Sequence, residues 1–148
     1  MMEFLVGCPV LLLLVMGSIQ LSFLWASQGA VETAAHLAAR KFALFARTDF
    51  RKAKAAALAE ATSICLHRPG GRWGSAHLTS IDFSRQETGT VPQSALAGEA
   101  FCLRLTHWVE LCVPWVNRIL FAIAPVKKAM IQGQYYFLLQ SSRWVTVE

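Results

Sequence analysis

The chain has 148 residues, 55% of them hydrophobic, and a formal net charge of +5, so it can build one small domain. Its basic residues are scattered, and no strand alternates basic with aromatic side chains, which argues against a nucleic-acid partner. Four dispersed histidines and the absence of a C-x-x-C motif predict no metal site and no cofactor. No nucleophile stands at a readable spacing from a base, so we expect neither catalysis nor a small-molecule substrate.

The first element is an apolar run from Leu5 to Ala26, which carries no charge after Glu3. A helix needs about 20 apolar residues to cross a bilayer, so this run predicts one membrane span. A secretory signal peptide is the competing interpretation, but the basic start, the shorter apolar core and the small-residue cleavage site of such peptides fit poorly. Gln20, with Ser18 and Ser22, places polar groups at bilayer depth, and we expect this face to meet protein.

Beyond Ala26 the sequence is alanine-rich, so we predict that the helix continues out of the membrane as an amphipathic stalk. Small residues stand four apart across the membrane boundary, a spacing that lets helix backbones approach closely. We predict an assembly surface along this row, and plain helix propensity is the alternative explanation. The row consists of Ser18, Ser22, Ala26, Ala30, Ala34 and Ala38.

Thr48-Asp49 offers an N-cap, so the helix is expected to kink there or to restart as a second helix from Asp49 to about Leu66. The segment His67 to Gly71 contains Pro-Gly-Gly and predicts a stop and a turn. An unbroken helix from Glu3 to Leu66 is the other outcome that the pattern allows.

Extended segments follow. Ala76 to Ser84 and Phe101 to Thr106 alternate apolar and polar residues and predict strands, joined by a polar connection from Arg85 to Gly98. Tyr135 to Leu139 and Arg143 to Val147 predict closing strand segments. The fold class is therefore α+β, with a long N-terminal helix that carries a small antiparallel sheet.

We expect residues 1–47 to form the transmembrane and stalk helix, and residues 48–148 to form a small α+β domain. Val113-Pro114-Trp115 ends the second strand, and Val116 to Ala124 predicts a short apolar helix or loop. That segment is too short to span a bilayer. It is expected to cover the apolar face of the sheet, and a position lying on the membrane is the alternative.

Four cysteines are present, and Cys8 lies within the predicted span. We predict a disulfide between Cys65 and Cys102, which would tie the end of the second helix to the sheet. The alternatives are a bond between Cys102 and Cys112 and three free thiols in the core.

The order of the N-terminal motifs resembles that of the TadE-like family of pilin-like proteins. The resemblance covers about residues 2 to 43 and is carried by Glu3-Phe4, Pro9 before a leucine run, Gly17-Ser18-Ile19-Gln20, and Ala34 to Arg40. It implies a pilin-like fold and a minor pilin or pseudopilin of the tight adherence pilus machinery, with roles in secretion and adhesion. It also implies a bacterial inner-membrane location with the C-terminal domain in the periplasm. The implied partners are other pilin-like subunits, the pilus assembly platform and the lipid bilayer.

The resemblance singles out Glu3, whose equivalent in type IV pilins meets the N-terminal amine of a neighbouring subunit; a solvated charge at headgroup level is the alternative. Met1-Met2 leaves no leader before Glu3, so either the start lies upstream or this type of processing does not occur. Arg40 and Lys41 would place the domain in the cytoplasm under the positive-inside rule, and a basic leader would reverse that bias.

A membrane-tethered binding module of the cell envelope is the alternative function. Its sheet would grip an envelope protein or a surface through tryptophans. These are Trp73, Trp108, Trp115 and Trp144.

Overall fold

The computed structural model describes residues 2–65, 75–85 and 98–147. It has a long N-terminal helix and a four-stranded antiparallel sheet, which confirms the predicted α+β class. The elements in chain order are α1 (Met2–Ala46), α2 (Phe50–Ile64), α3 (Ser75–Leu78), β1 (Thr79–Arg85), β2 (Ala100–Glu110), α4 (Val116–Ile123), β3 (Lys128–Ile131) and β4 (Gln134–Thr146).

The long helix ends at Ala46 and a second helix begins at Phe50, so the restart is confirmed and the unbroken helix is excluded. The Asp49 carboxylate accepts the backbone N–H groups of Arg51 at 3.0 Å and Lys52 at 3.1 Å, an N-cap that satisfies two orphan donors of α2. The backbone bond from Lys52 is the largest cause that lowers the pKa of Asp49.

The strand order in the sheet is β1-β2-β4-β3. β1 and β2 pair antiparallel, with Thr79 opposite His107 and Arg85 opposite Phe101. β3 and β4 form a hairpin whose two-residue turn, Gln132-Gly133, has φ values of 50° and 81°. Positive φ at both turn residues is typical of the tight hairpin turn that matches the natural twist of the strands.

The strands differ from the sequence prediction at three places. The strand expected from Ala76 begins at Thr79, because Ser75–Leu78 forms α3. The two predicted closing segments are one continuous strand, β4, since the polar residues between them also lie in the extended ladder. β3 was missed because four residues are too few to display an alternating pattern.

By its internal contacts the chain divides into two compact units. The first comprises Met1–Ser27 and Val109–Leu138, and the second comprises Gln28–Trp108 and Leu139–Glu148. The helix α1 thus contributes to both. The predicted division at residue 47 stays a prediction.

The core of the second unit is built from the alanines of α1 and α2 and from one face of the sheet. Ala53, Ala57 and Ala61 are fully buried and stand four apart, so they form one stripe along α2. The ion pair between Lys41 Nζ and Glu60 Oε2, at 3.7 Å, shows that α2 folds back along α1. Small side chains on both helices allow this close packing.

Aromatic rings close the end of that core near the helix turn. The Phe42 ring lies 4.3 Å from that of Phe83, 5.4 Å from Phe50 and 5.8 Å from Phe101, measured between ring centroids. These contacts join both helices to β1 and β2. Within the second unit, the face of β1 and β2 that carries these rings is covered by α1 and α2. The predicted packing of Val116 to Ala124 on the sheet is seen at Phe121, whose ring lies 4.7 Å from that of Tyr135 on β4.

Two sequence predictions fall largely on residues 66–74 and 86–97, which lie outside the described residues. They are the turn at Pro69-Gly70-Gly71 and the polar connection from Arg85 to Gly98. At the two ends of that connection, Arg85 Nη2 lies 3.0 Å from Glu99 Oε1 in a half-buried ion pair.

Candidate functional site: the membrane helix

Within the described residues, α1 is the one helix long and apolar enough to cross a membrane. Its N-terminal half is bare, since large apolar side chains from Val10 to Trp25 are exposed, with Trp25 itself at 82%. A soluble protein rarely leaves an apolar surface of this size uncovered. The helix therefore fits single-pass anchoring in a membrane.

One polar residue in this bare region is fully buried: Gln20. Its Oε1 accepts the backbone N–H of Val113 at 2.9 Å, and Cys112 Sγ lies 3.8 Å from the same oxygen. Its Nε2 is buried and has no hydrogen-bond partner. The prediction that a polar face of this helix meets protein is confirmed at Gln20, and the protein it meets is the chain's own segment after β2.

The two serines near Gln20 need no such partner. Ser18 Oγ donates to Val15 O at 2.8 Å, and Ser22 Oγ donates to Ser18 O at 2.9 Å. A hydroxyl that bonds the preceding turn is satisfied within its own helix and tolerates an apolar environment. Both serines are exposed, so their faces remain open to lipid or to another helix.

A groove of about 420 Å³ lies beside the same part of α1, and its lining is almost wholly apolar. The turn Pro114–Val116 forms one wall. Trp115 has a φ of 68°, a left-handed conformation that is unusual for a residue with a side chain, and it reverses the chain into α4. The other wall consists of Cys8, Pro9, Leu12, Leu13 and Met16.

The members of the row of small residues differ in how far they are buried. Ser18, Ser22 and Ala26 are exposed, and Ala30 is half-buried. Ala34 and Ala38 are fully buried in the core of the second unit. The close packing of these two alanines therefore occurs within the chain, and the assembly role of the row stays a prediction.

Glu3 lies in the first turn of α1, and its side chain is not among those described, so its role stays a prediction.

All four cysteines are free thiols, so the bond predicted between Cys65 and Cys102 does not form in this structure. The reason is the pleat of β2. Cys65 lies in the core with Phe101 and Leu103, whereas Cys102 alternates to the opposite face of the strand. The rival bond between Cys102 and Cys112 is also not formed. Burial raises the pKa of the Cys65 thiol to about 11, so it stays protonated at neutral pH.

A buried polar pair lies on β1 and β2, where Thr79 Oγ1 and His107 Nδ1 are 2.8 Å apart. Burial lowers the pKa of His107 to about 4, so the imidazole is neutral at physiological pH and serves as a hydrogen-bonded core residue. No group of three or more His, Cys, Asp or Glu side chains within residues 2–65, 75–85 and 98–147 could hold a metal ion.

The family model described as TadE-like protein matches residues 1–40, which confirms the resemblance predicted for about residues 2 to 43. The matched residues lie within α1 apart from the first. No curated protein and no solved structure matches the chain. TadE-like proteins are a structural, pilus-associated family, and the match together with the membrane-capable helix fits a component related to the tight adherence pilus.

Sequence reasoning found Gln20 but missed its partner, Val113. The hydrogen bond joins residues 93 positions apart, and no local sequence pattern predicts a contact over that distance. The available signal was the break at Val113-Pro114-Trp115 followed by an apolar segment without acidic residues, which marks a strand end that turns toward an apolar environment.

Proposed function

We propose that this chain is a minor pilin-like or pseudopilin-like structural component of tight adherence pilus assembly. In this proposal α1 anchors it in the bacterial inner membrane, and its C-terminal domain lies in the periplasm. The observation that carries the proposal is the division of α1 itself. Its N-terminal half is bare and apolar, and its C-terminal half from Val31 onward is packed into the core of a small domain.

A helix of this kind suits a subunit that moves from a bilayer into a fibre. Apolar surface gains roughly 25 cal/mol for every Å² removed from water, so the bare half must be covered by lipid or by other helices. The same side chains fit both environments, because lipid tails and a helix bundle are equally apolar. Ser18, Ser22 and Ala26 would let a neighbouring helix approach closely at the exposed face.

Glu3 would set the register of that contact. A carboxylate at the edge of a bilayer is costly unless it is paired, so it favours a position opposite a positive group of a neighbouring subunit. The assembly platform and other pilin-like subunits are the partners in this proposal. The proposal includes no catalytic activity for the chain.

Two experiments on the full-length natural gene test the proposal. Alkaline phosphatase fused after Glu148 should be active and a fluorescent protein that folds only in the cytoplasm should be dark. Deletion of the gene should abolish or sharply reduce surface pili, with recovery on complementation. Cytoplasmic fluorescence would reject the periplasmic orientation, and normal piliation of the deletion strain would favour the tethered binding module instead.

A further inference from the structure

The short helix α4 leaves an apolar face bare. Trp115 at its N-cap is 78% exposed and Ile123 is 75% exposed, and Ile119 lies exposed between them. Ile119 and Ile123 stand four apart and share one face of the helix, and with the exposed Trp115 before them they make up an apolar ridge. The side opposite to Ile119 and Ile123 is held by the protein at Phe121, whose ring lies 4.7 Å from that of Tyr135.

The chain around this ridge is basic. From Leu111 to Ile131 the sequence contains Arg118, Lys127 and Lys128 and no acidic residue. Arg118 and Lys127 are exposed. Lys128 instead closes the end of α4, because its ammonium group donates to Phe121 O at 2.5 Å. An apolar ridge flanked by positive charge is the pattern of a helix that lies in a membrane interface and meets anionic headgroups.

The same segment is joined to the membrane helix within the first unit. Gln20 stands five residues before Trp25, so the bond to Val113 is made about 7.5 Å along the helix axis toward the N-terminus from that aromatic residue. The groove places the turn Pro114–Val116 farther along, beside Cys8 to Met16. When α1 spans a bilayer, this turn lies at the depth of the lipid chains.

Several backbone N–H groups at and beside the turn are satisfied by the protein. Val113 N–H donates to Gln20, Pro114 has no N–H, and Val116 N–H donates to Pro114 O at 2.8 Å. The N–H of Asn117 donates to Val113 O at 3.0 Å. Non-helical backbone is tolerated within a membrane where its polar groups are satisfied by protein.

From these observations we propose that residues 111–126 are a second membrane contact. The ridge of Trp115, Ile119 and Ile123 inserts into the leaflet beside α1, while Arg118 and Lys127 meet the phosphates of anionic lipids. The inference rests on the proposed membrane anchoring by α1. The alternative reading of this segment in the sequence, a position lying on the membrane, thus becomes the preferred one.

Tryptophan quenching in reconstituted bilayers tests the inference. The full chain and its single variants Trp25→Phe, Trp115→Phe and Trp144→Phe are placed in vesicles of phosphatidylethanolamine and phosphatidylglycerol with brominated or ordinary acyl chains. Trp144 is the matched control, since it is 64% exposed but belongs to the second unit. We expect Trp25→Phe and Trp115→Phe each to remove part of the quenched emission, and Trp144→Phe to remove none.

Each of the other possible quenching results contradicts one part of the proposal. If Trp115→Phe behaves like Trp144→Phe while Trp25→Phe still removes quenching, the second contact is wrong and the anchor stands. If Trp25→Phe also removes none, the anchoring by α1 fails. Quenching of Trp115 that weakens as the protein-to-lipid ratio rises would assign the ridge to a second copy of the chain rather than to lipid.

The headgroup part of the proposal has its own comparison. In the wild-type chain, quenching of Trp115 should be stronger in bilayers with phosphatidylglycerol than in bilayers of phosphatidylcholine alone. The double variant Arg118→Gln, Lys127→Gln should lose that difference. Equal quenching of the wild-type chain in both bilayers would overturn the role of the two basic residues.

Discussion

The side-chain oxygen of Gln20 accepts the backbone N–H of Val113 at 2.9 Å, which joins the apolar part of α1 to the turn that leads into α4. Gln20 is fully buried at a position where lipid would offer it no partner. The bond satisfies one polar group on each side, so it fixes the turn against the helix.

Replacing Gln20 with Leu should release this turn. The Val113 N–H would then be left without a partner, and an unsatisfied buried donor costs about 1–3 kcal/mol. Hydrogen exchange at the Val113 amide, measured on the protein in detergent micelles, should become at least about tenfold faster. Gln28→Leu is the control, because Gln28 bonds only the nearby Glu32 carboxylate among the contacts described. Equal protection of Val113 in both variants would show that the Gln20 bond does not hold the turn.

Bulky substitutions in the row of small residues should have two different effects. Ala38→Leu adds side-chain volume inside the packed helix pair, so the free energy of unfolding should fall by about 1–3 kcal/mol. Ala26→Leu adds it to an exposed face, so the stability should change by less than about 0.5 kcal/mol. Denaturant unfolding in detergent measures both.

Co-purification of the same two variants with other pilin-like subunits completes the comparison. Ala26→Leu should lose partner subunits although the chain is folded and inserted, because a larger side chain separates helix backbones. If co-purification and piliation of Ala26→Leu are unchanged, helix propensity alone explains the exposed small residues.

The free energy of unfolding should depend on pH through His107. Its folded-state pKa of about 4 lies below the ordinary value of 6.5, so the unfolded chain binds the proton first as the pH falls. Stability is therefore fully present above about pH 6.5 and decreases by about 1.4 kcal/mol per pH unit toward pH 4, about 3 kcal/mol in all. Below pH 4 both states are protonated and this loss ends.

Denaturant midpoints between pH 7 and 4 check this dependence. His107→Gln should flatten the curve over that interval, because an amide does not titrate. The exposed His36 is the matched control, and His36→Gln should retain the full decrease. A curve for His107→Gln as steep as that of the wild-type chain would place the acid sensitivity elsewhere.

Local signals explain how much of the fold the sequence predicts. An uncharged apolar run, an alanine-rich continuation and the Asp49 N-cap each act within a few residues, so the sequence predicted the long helix and included the restart among its expected outcomes. The alternation of Phe101, Leu103 and Leu105 likewise placed β2.

Long-range packing explains what the sequence does not predict. The spacing of the small residues predicts one surface, but only Ala34 and Ala38 lie in the core of the second unit, whereas Ser18, Ser22 and Ala26 are exposed. The contact of Gln20 with Val113 and the burial of Cys65 on the face opposite to Cys102 depend on which elements meet in space. The spacing of residues along the sequence predicts neither arrangement.

Site-specific photocrosslinking in piliated cells shows whether the exposed half of α1 contacts other pilin-like subunits. A photoreactive amino acid replaces Leu14, which is exposed in the bare half of α1, or Arg51, which is exposed on α2 and serves as the control. We expect the label at position 14 to crosslink to other pilin-like subunits and to lipid. The label at position 51 should give no crosslink to the membrane half of those subunits. Crosslinks from position 14 to lipid alone, in cells that carry normal pili and contain the labelled chain, would contradict an assembly role for α1.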